Sequence, residues 1–147
     1  MKSLFLILAL TAGAFLPLQA GINAQLRLYT GSPVIAAFIS FVVGTVVLLV
    51  IALALRIDWP AAASFARAPW WVWIGGALGA FFVFLAIVLA ESLGAAVLVS
   101  FIIAGQMLAS ILLDHYGWAG FSRHPINPTR ILGALLLLSG VLLIRYK

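Results

Sequence analysis

The run SPVIAAFISFVVGTVVLLVIALAL, from Ser32 to Leu55, is the clearest indication of the fold, because it contains no charged residue. About 20 apolar residues in a helix are enough to cross the hydrocarbon core of a bilayer. Ser32 and Pro33 add a start signal, since serine is a preferred N-cap and proline fits the first helical position. The stretch therefore predicts a transmembrane helix over residues 33–55.

The rest of the 147-residue chain repeats this apolar pattern. It is 66% hydrophobic and 7% charged, whereas soluble chains carry about 25% charged residues. We predict an all-α integral membrane protein with a single transmembrane domain over residues 1–147. Its five helices are expected at about 4–25, 33–55, 70–90, 93–113 and 129–144. Glu91-Ser92 predicts a tight hairpin between the third and fourth helices, Gly117 a helix stop and Asn127-Pro128 a helix start.

The first 20 residues also fit a secretory signal peptide, with a basic start, an apolar stretch and Ala20 in a small-residue site. Leu18 stands where such a site needs a small residue, and the run continues through Ala24. The segment is then long enough to span a bilayer, which favours a retained helix.

Eight basic and three acidic residues give a net charge of +5. The basic residues are scattered singly at the ends of apolar runs, which excludes a nucleic-acid-binding patch and favours contact with lipid headgroups.

Five crossings place the two ends of the sequence on opposite sides. The side of Met1 holds the larger share of basic residues: Lys2, Arg56, Arg67, Arg123 and Arg130. Arg27, Arg145 and Lys147 lie on the other side. This small bias favours a cytoplasmic N-terminus and is compatible with insertion in both orientations.

Amide and hydroxyl side chains recur at a spacing of four on two helices. Gln19 and Asn23 share one face of the first helix, and Gln106, Ser110 and Asp114 share one face of the fourth. An amide in hydrocarbon without a partner loses several kcal/mol of hydrogen bonding. These side chains therefore bond neighbouring helices or bind a solute, and both readings stay open.

Two carboxylates are candidate proton-linked residues. Glu91 lies at the predicted hairpin and Asp114 at the end of the fourth helix; the simpler interpretations are a solvated tip residue and a helix cap. No acidic residue lies at the predicted centre of a helix, which argues against a deep carboxylate that exchanges protons for cations. Trp73, together with Phe81, is a candidate wall for a solute cavity.

Small residues recur at helical spacing, which lets helices approach closely. The candidate packing residues are Ser40, Gly44, Gly75, Gly79, Gly105, Gly133 and Gly140. The sequence contains no cysteine, and His115 and His124 are isolated. We therefore predict no enzyme, no metal site and no cofactor.

Five blocks carry a resemblance to a known family. They are GAFLPLQAGINAQL, SPVIAAFISFVVGT, PWWVWIGGALGAFFV, LGAAVLVSFIIAGQMLASILLDHYGWAG and INPTRILGALLLLSGVLLI. They resemble the five-helix YdcZ family of the drug/metabolite transporter (DMT) superfamily. The resemblance implies that the first segment stays as a helix, and its motifs fall on Pro17, Gln19, Asn23, Gly105, Gln106 and Asp114.

Members of that superfamily usually contain two five-helix repeats of opposite topology around a central cavity. The resemblance therefore implies a single repeat in the inner (plasma) membrane that needs a partner. That partner is a second copy, in an antiparallel homodimer, or a paralogue in a heterodimer. The expected function is transport of a small organic solute, as an exporter that works by alternating access. The alternative is a non-transporting membrane subunit that assembles with another membrane protein.

Single cysteines near the two ends of the sequence test the predicted number of crossings. With five helices, Ser3→Cys and Tyr146→Cys should react with a membrane-impermeant maleimide from opposite sides. If the chain inserts in both orientations, each cysteine should react from both sides. Labelling of both positions from one and the same side alone would contradict five crossings.

Overall fold

The computed structural model describes residues 2–146. Its helices are α1 (Lys2–Thr30), α2 (Pro33–Ala54), α3 (Ala62–Ala66), α4 (Ile74–Tyr116) and α5 (Pro128–Arg145), with 3₁₀ turns at Trp70–Trp73 and Trp118–Gly120. The structure contains no strand between residues 2 and 146. All the helices except α3 are long and apolar enough to cross a membrane. The predicted all-α membrane fold is confirmed.

Both predicted helix-start signals are confirmed. The Ser32 hydroxyl accepts a hydrogen bond from the Ile35 N–H at 3.4 Å, and the Asn127 side-chain oxygen accepts one from the Arg130 N–H at 2.9 Å. Each cap is followed by a proline in the first turn of the helix. The caps matter because the first N–H groups of a helix have no partner within the helix.

The helix bounds differ from the predicted ones mainly at two places. Helix α1 continues to Thr30, because its polar last turn contains no residue that breaks a helix. It ends at Gly31, which has a φ of +69° and whose N–H donates to the Arg27 carbonyl at 2.8 Å. This is a common way for a helix to end on glycine. Residues 70–73 form a 3₁₀ turn after Pro69, and the α-helix begins only at Ile74.

Gly94 divides α4 into two helical segments. Trp70–Tyr116 contains 47 residues, about 70 Å of helix, which is more than twice the hydrocarbon thickness of about 30 Å. Gly94 has φ +72° and ψ 164°, a conformation outside the helical range that essentially only glycine adopts. The first compact unit of the chain ends at Ser92 and the second begins at Leu93. The hairpin and the single-domain organisation stay predictions.

The first unit has a small core between α2 and the segment of α4 that precedes Gly94. Ala36 and Ile87 are 0% exposed, and Ala37 and Val83 pack with them. Two adjacent alanines let the α4 segment approach the α2 backbone closely. Two stretches of these helices are exposed throughout: residues 3–16 of α1 and 41–51 of α2. These surfaces face lipid or another protein.

Substitution of Gly94 tests whether the break in α4 depends on glycine. Gly94→Ala should lower the free energy of unfolding by about 1–3 kcal/mol, because a Cβ is strained at this φ and ψ. The matched control is Gly76→Ala in the same helix, where an added Cβ has no atom within 4 Å. Thermal unfolding in detergent should show a lower melting temperature for Gly94→Ala alone. Equal melting temperatures would show that the break does not require glycine.

Candidate functional site

The two amides of α1 lie in different environments. Gln19 is exposed, whereas Asn23 is only 4% exposed. Within residues 2–146 no completely occluded side-chain nitrogen or oxygen lacks a hydrogen-bond partner. Pro17 lies inside the helix just before these amides. In the first helix, Gln19 is therefore open to lipid, solute or a second protein, whereas Asn23 is largely covered by the chain itself.

The polar face of α4 runs along its second segment. Gln106 and Ser110 are exposed, and the Ser110 hydroxyl donates to the Met107 carbonyl of its own helix at 2.9 Å. Asp114 is half-buried near the helix end. Gln106 and Gln19 belong to different units, so a cavity bordered by both stays a prediction.

Trp73 lies in the first unit and is 56% exposed. Its indole is 6.0 Å from the Phe65 ring, measured between ring centroids. Near it in the sequence, an aromatic groove of about 510 Å³ lies between α2 and α4. The groove is lined by Val34, Ala37, Phe38, Phe41, Ala80, Phe81 and Phe84. Its lining carries no charged residue, so it suits an apolar occupant such as an acyl chain.

Each candidate proton-linked carboxylate is held in an ion pair. Glu91 Oε2 lies 2.9 Å from Arg27 Nη1 in the first unit, and Asp114 Oδ2 lies 3.1 Å from Arg130 Nη2 in the second. From the sequence, Glu91 and Asp114 are candidate proton-linked residues or, more simply, a solvated tip residue and a helix cap. Neither arginine partner is predicted from the sequence. Arg27 and Glu91 lie at the ends of α1 and of the first α4 segment, so these two helices run in the same direction, as alternating crossings require.

Hydrogen bonds to backbone carbonyls hold the connection between α4 and α5 in place. The Asp114 carbonyl accepts from the His124 N–H at 2.7 Å, and the His124 carbonyl accepts from Arg130 Nη1 at 3.0 Å. The His115 carbonyl accepts from Arg123 Nε at 3.2 Å. Gly117 ends α4 with a φ of +69°, which confirms the predicted helix stop.

A charged groove of about 290 Å³ lies between the end of α4 and the start of α5. It is lined by Met107, Ser110, Ile111, Asp114, Arg130, Gly133 and Ala134. Ser110 and Asp114 were predicted site residues, and the structure adds Arg130 to them. The groove therefore combines an ion pair, a hydroxyl and an apolar floor.

The two charges of this groove lie at the unfavourable ends of their helices. Asp114 is in the last turn of α4, where the helix dipole is negative, and Arg130 is in the first turn of α5, where it is positive. Each of these charges, placed at the wrong end of a helix dipole, destabilises the fold by about 0.3–1 kcal/mol. A half-exposed ion pair stabilises by about 0–1 kcal/mol. Because these contributions roughly cancel, stability does not explain the arrangement. Arg27, in contrast, lies in the last turn of α1, where a cation is favourable.

Most of the predicted packing glycines have an open side. An added Cβ at Gly79 would lie 3.5 Å from the Phe41 ring, so this glycine makes a close contact. At the remaining predicted packing glycines nothing lies within 4 Å of an added Cβ: Gly44, Gly75, Gly105, Gly133 and Gly140. Ser40 is half-buried. Close approach by another helix is therefore possible along most of these positions.

Exchange of the two charges tests the dipole argument. The double variant Asp114→Arg, Arg130→Asp keeps an ion pair but places each charge at the favourable end of its helix. It should raise the free energy of unfolding by about 1–4 kcal/mol, because two charges each change from an unfavourable to a favourable helix end. The same exchange at Arg27 and Glu91 is the control. It should leave the stability nearly unchanged, because it removes a favourable cation from the end of α1 and places one at the end of the first α4 segment. Denaturant or thermal unfolding measures both, and a destabilised Asp114→Arg, Arg130→Asp variant would contradict the argument.

Comparison with known proteins places the chain in a family. The family described as "Putative inner membrane exporter, YdcZ" matches residues 4–143. The "Inner membrane protein YdcZ" of Escherichia coli (strain K12) is 37% identical over 76 residues, which are 51% of this chain and 50% of the relative. The chain thus spans about half the length of the curated relative it matches. No solved structure matches the chain. With its long apolar helices, the chain is a multi-pass protein of the inner membrane. The chain belongs to the YdcZ family.

Proposed function

We propose that the chain is a DMT-type transporter that exports a small organic solute and works as a dimer by alternating access. The family description is one support for this proposal, because it names an exporter. The other support is the exposed polar face of α4, which a single unit leaves without a covering helix.

Gln106 is the observation that carries the proposal. It lies about midway between Gly94 and Tyr116 in α4, about 15 Å from either end of that segment. Its side chain is exposed. An amide at this depth that faced lipid would lose hydrogen bonds worth several kcal/mol. A water-filled or solute-filled cavity satisfies the amide, and polar residues in membrane helices commonly mark such pathways.

A second copy would close this cavity. One chain presents exposed apolar side chains along residues 3–16 of α1 and an open Gly105 beside Gln106. Small residues let the helices of two chains approach closely. A dimer, antiparallel or formed with a paralogue, would place two such faces around one central space, as in a pair of inverted repeats.

The polar groups favour a neutral or zwitterionic solute over a hard cation. Glu91 and Asp114 are both paired with arginine near helix ends, and Asp58 lies outside the helices. Proton linkage at Glu91 or Asp114 would therefore act by opening an ion pair. Gln19, Asn23 and Gln106 would supply hydrogen bonds to the solute, with Ser110 and Trp73 at the borders of its path.

The alternative function is a non-transporting subunit that assembles with another membrane protein. The apolar surface of α1 and the aromatic groove of the first unit suit this role as well. In that case the amides would bond a partner helix, and their removal would weaken association and leave no solute effect to measure.

Removal of the Gln106 amide tests transport. Thermal-shift screening of the wild-type protein against neutral and zwitterionic metabolites and biocides selects the solute, and its flux is then followed in proteoliposomes. Gln106→Ala should lower the flux by about five- to 150-fold, because an unmet hydrogen bond costs about 1–3 kcal/mol. The dimer should persist in size-exclusion chromatography.

Gln25→Ala is the matched control, since Gln25 is an exposed amide near the end of α1. Its flux should equal the wild-type flux. Wild-type flux in Gln106→Ala would remove Gln106 from the pathway. A dimer that dissociates in Gln106→Ala, together with no stabilising solute for the wild type, would favour the non-transporting subunit.

A further inference from the structure

We propose that the charged groove between α4 and α5 binds a zwitterionic group, with its anionic part on Arg130 and its ammonium on Asp114. That this zwitterion is the transported solute rests on the proposed function. The binding itself is measurable without transport.

The ion pair leaves bonding capacity for such a ligand. The Arg130 guanidinium has five N–H donors. Nη2 lies 3.1 Å from Asp114 Oδ2, and Nη1 donates to the His124 carbonyl at 3.0 Å. The Arg130 and Asp114 side chains are 32% and 29% exposed. A phosphate or carboxylate can therefore reach the guanidinium while an ammonium reaches the second Asp114 oxygen.

The helix ends favour the same polarity. Arg130 lies in the first turn of α5, whose positive end attracts an anion, and Asp114 lies in the last turn of α4, whose negative end attracts a cation. Both side chains oppose the dipole of their own helix. A zwitterion placed across the pair has its anion over the start of α5 and its ammonium over the end of α4. It thus offsets both unfavourable placements at once.

A ligand with a single charge fits the groove less well. It would bond one member of the pair, compete with the other and leave that charge without a partner. The groove measures about 290 Å³, close to the lower end of ligand pockets at about 300 Å³. It therefore suits a group of headgroup size. Met107, Ile111 and Ala134 form an apolar surface beside the charges, which suits a short hydrocarbon part.

Two sources could supply this chemistry, a water-soluble zwitterion or the headgroup of a lipid. The probes are sn-glycero-3-phosphoethanolamine and dihexanoyl phosphatidylethanolamine, which share one zwitterionic phosphodiester group and differ in the acyl chains. Binding is measured by calorimetry on the full chain in a non-ionic detergent. Glycerol 3-phosphate and ethanolamine serve as probes with one kind of charge. Wild-type protein should bind at least one zwitterionic probe at least tenfold more tightly than either of these.

The variants Arg130→Gln and Asp114→Asn should each weaken zwitterion binding at least tenfold. Arg27→Gln is the matched control, because it breaks the ion pair of Arg27 with Glu91 and leaves the groove untouched, and it should change the affinity less than twofold. Melting temperatures without ligand show whether each variant is folded. The comparison of probes on the wild type needs no variant, so it decides the question even if a variant does not fold.

Binding of both zwitterions supports a water-soluble ligand, and binding of the lipid alone supports a headgroup site. Equal affinity for glycerol 3-phosphate, or equal loss in Arg27→Gln, would overturn the proposal. Flux of another solute without zwitterion binding would overturn this inference and leave the transporter proposal intact. Zwitterion binding without any flux would support the site and count against transport.

Discussion

A bilayer core offers no hydrogen bonds, and this constraint accounts for the position of most polar side chains in the chain. The two ion pairs lie near helix ends, where water and headgroups are close. Several serine and threonine hydroxyls within the helices donate to carbonyls of their own helix, as those of Thr45 and Ser139 do. Gln106 and Gln19 depart from this rule, because each is an exposed amide well inside an apolar helix. The proposed solute pathway follows from that departure.

The same constraint governs how the helices of the chain pack. In water, an apolar helix buries its face against a core; in lipid, close packing needs small residues or polar bonds instead. The first unit meets this need at Ala36, Ala37 and Gly79, where α2 and α4 are in contact. Gly44 and Gly105 are small residues of the same kind, and no described atom lies within 4 Å of a Cβ added at either position. The second chain of the proposed dimer would cover those faces.

Local signals made much of the fold predictable. Ser32-Pro33 and Asn127-Pro128 begin helices as expected, and Gly117 ends one, because caps and positive φ angles depend on a few adjacent residues. The break near Glu91 falls at Gly94, the nearby residue that can adopt the required backbone angles. The pairing of Asp114 with Arg130 could not be predicted, since it depends on the path of the whole connection between them. Nor could periodicity show that Asn23 is buried while Gln19 is exposed, because that depends on tertiary packing.

Subunit counting in active proteoliposomes tests most directly the claim that one chain cannot enclose the pathway. Each chain would carry one fluorophore, and photobleaching steps would be counted in vesicles sorted by their flux of the screened solute. If two chains are needed to enclose the pathway, vesicles that transport the solute should show two bleaching steps or a higher even number. Vesicles that contain a single labelled chain should show no flux. Transport by vesicles that bleach in a single step would contradict it.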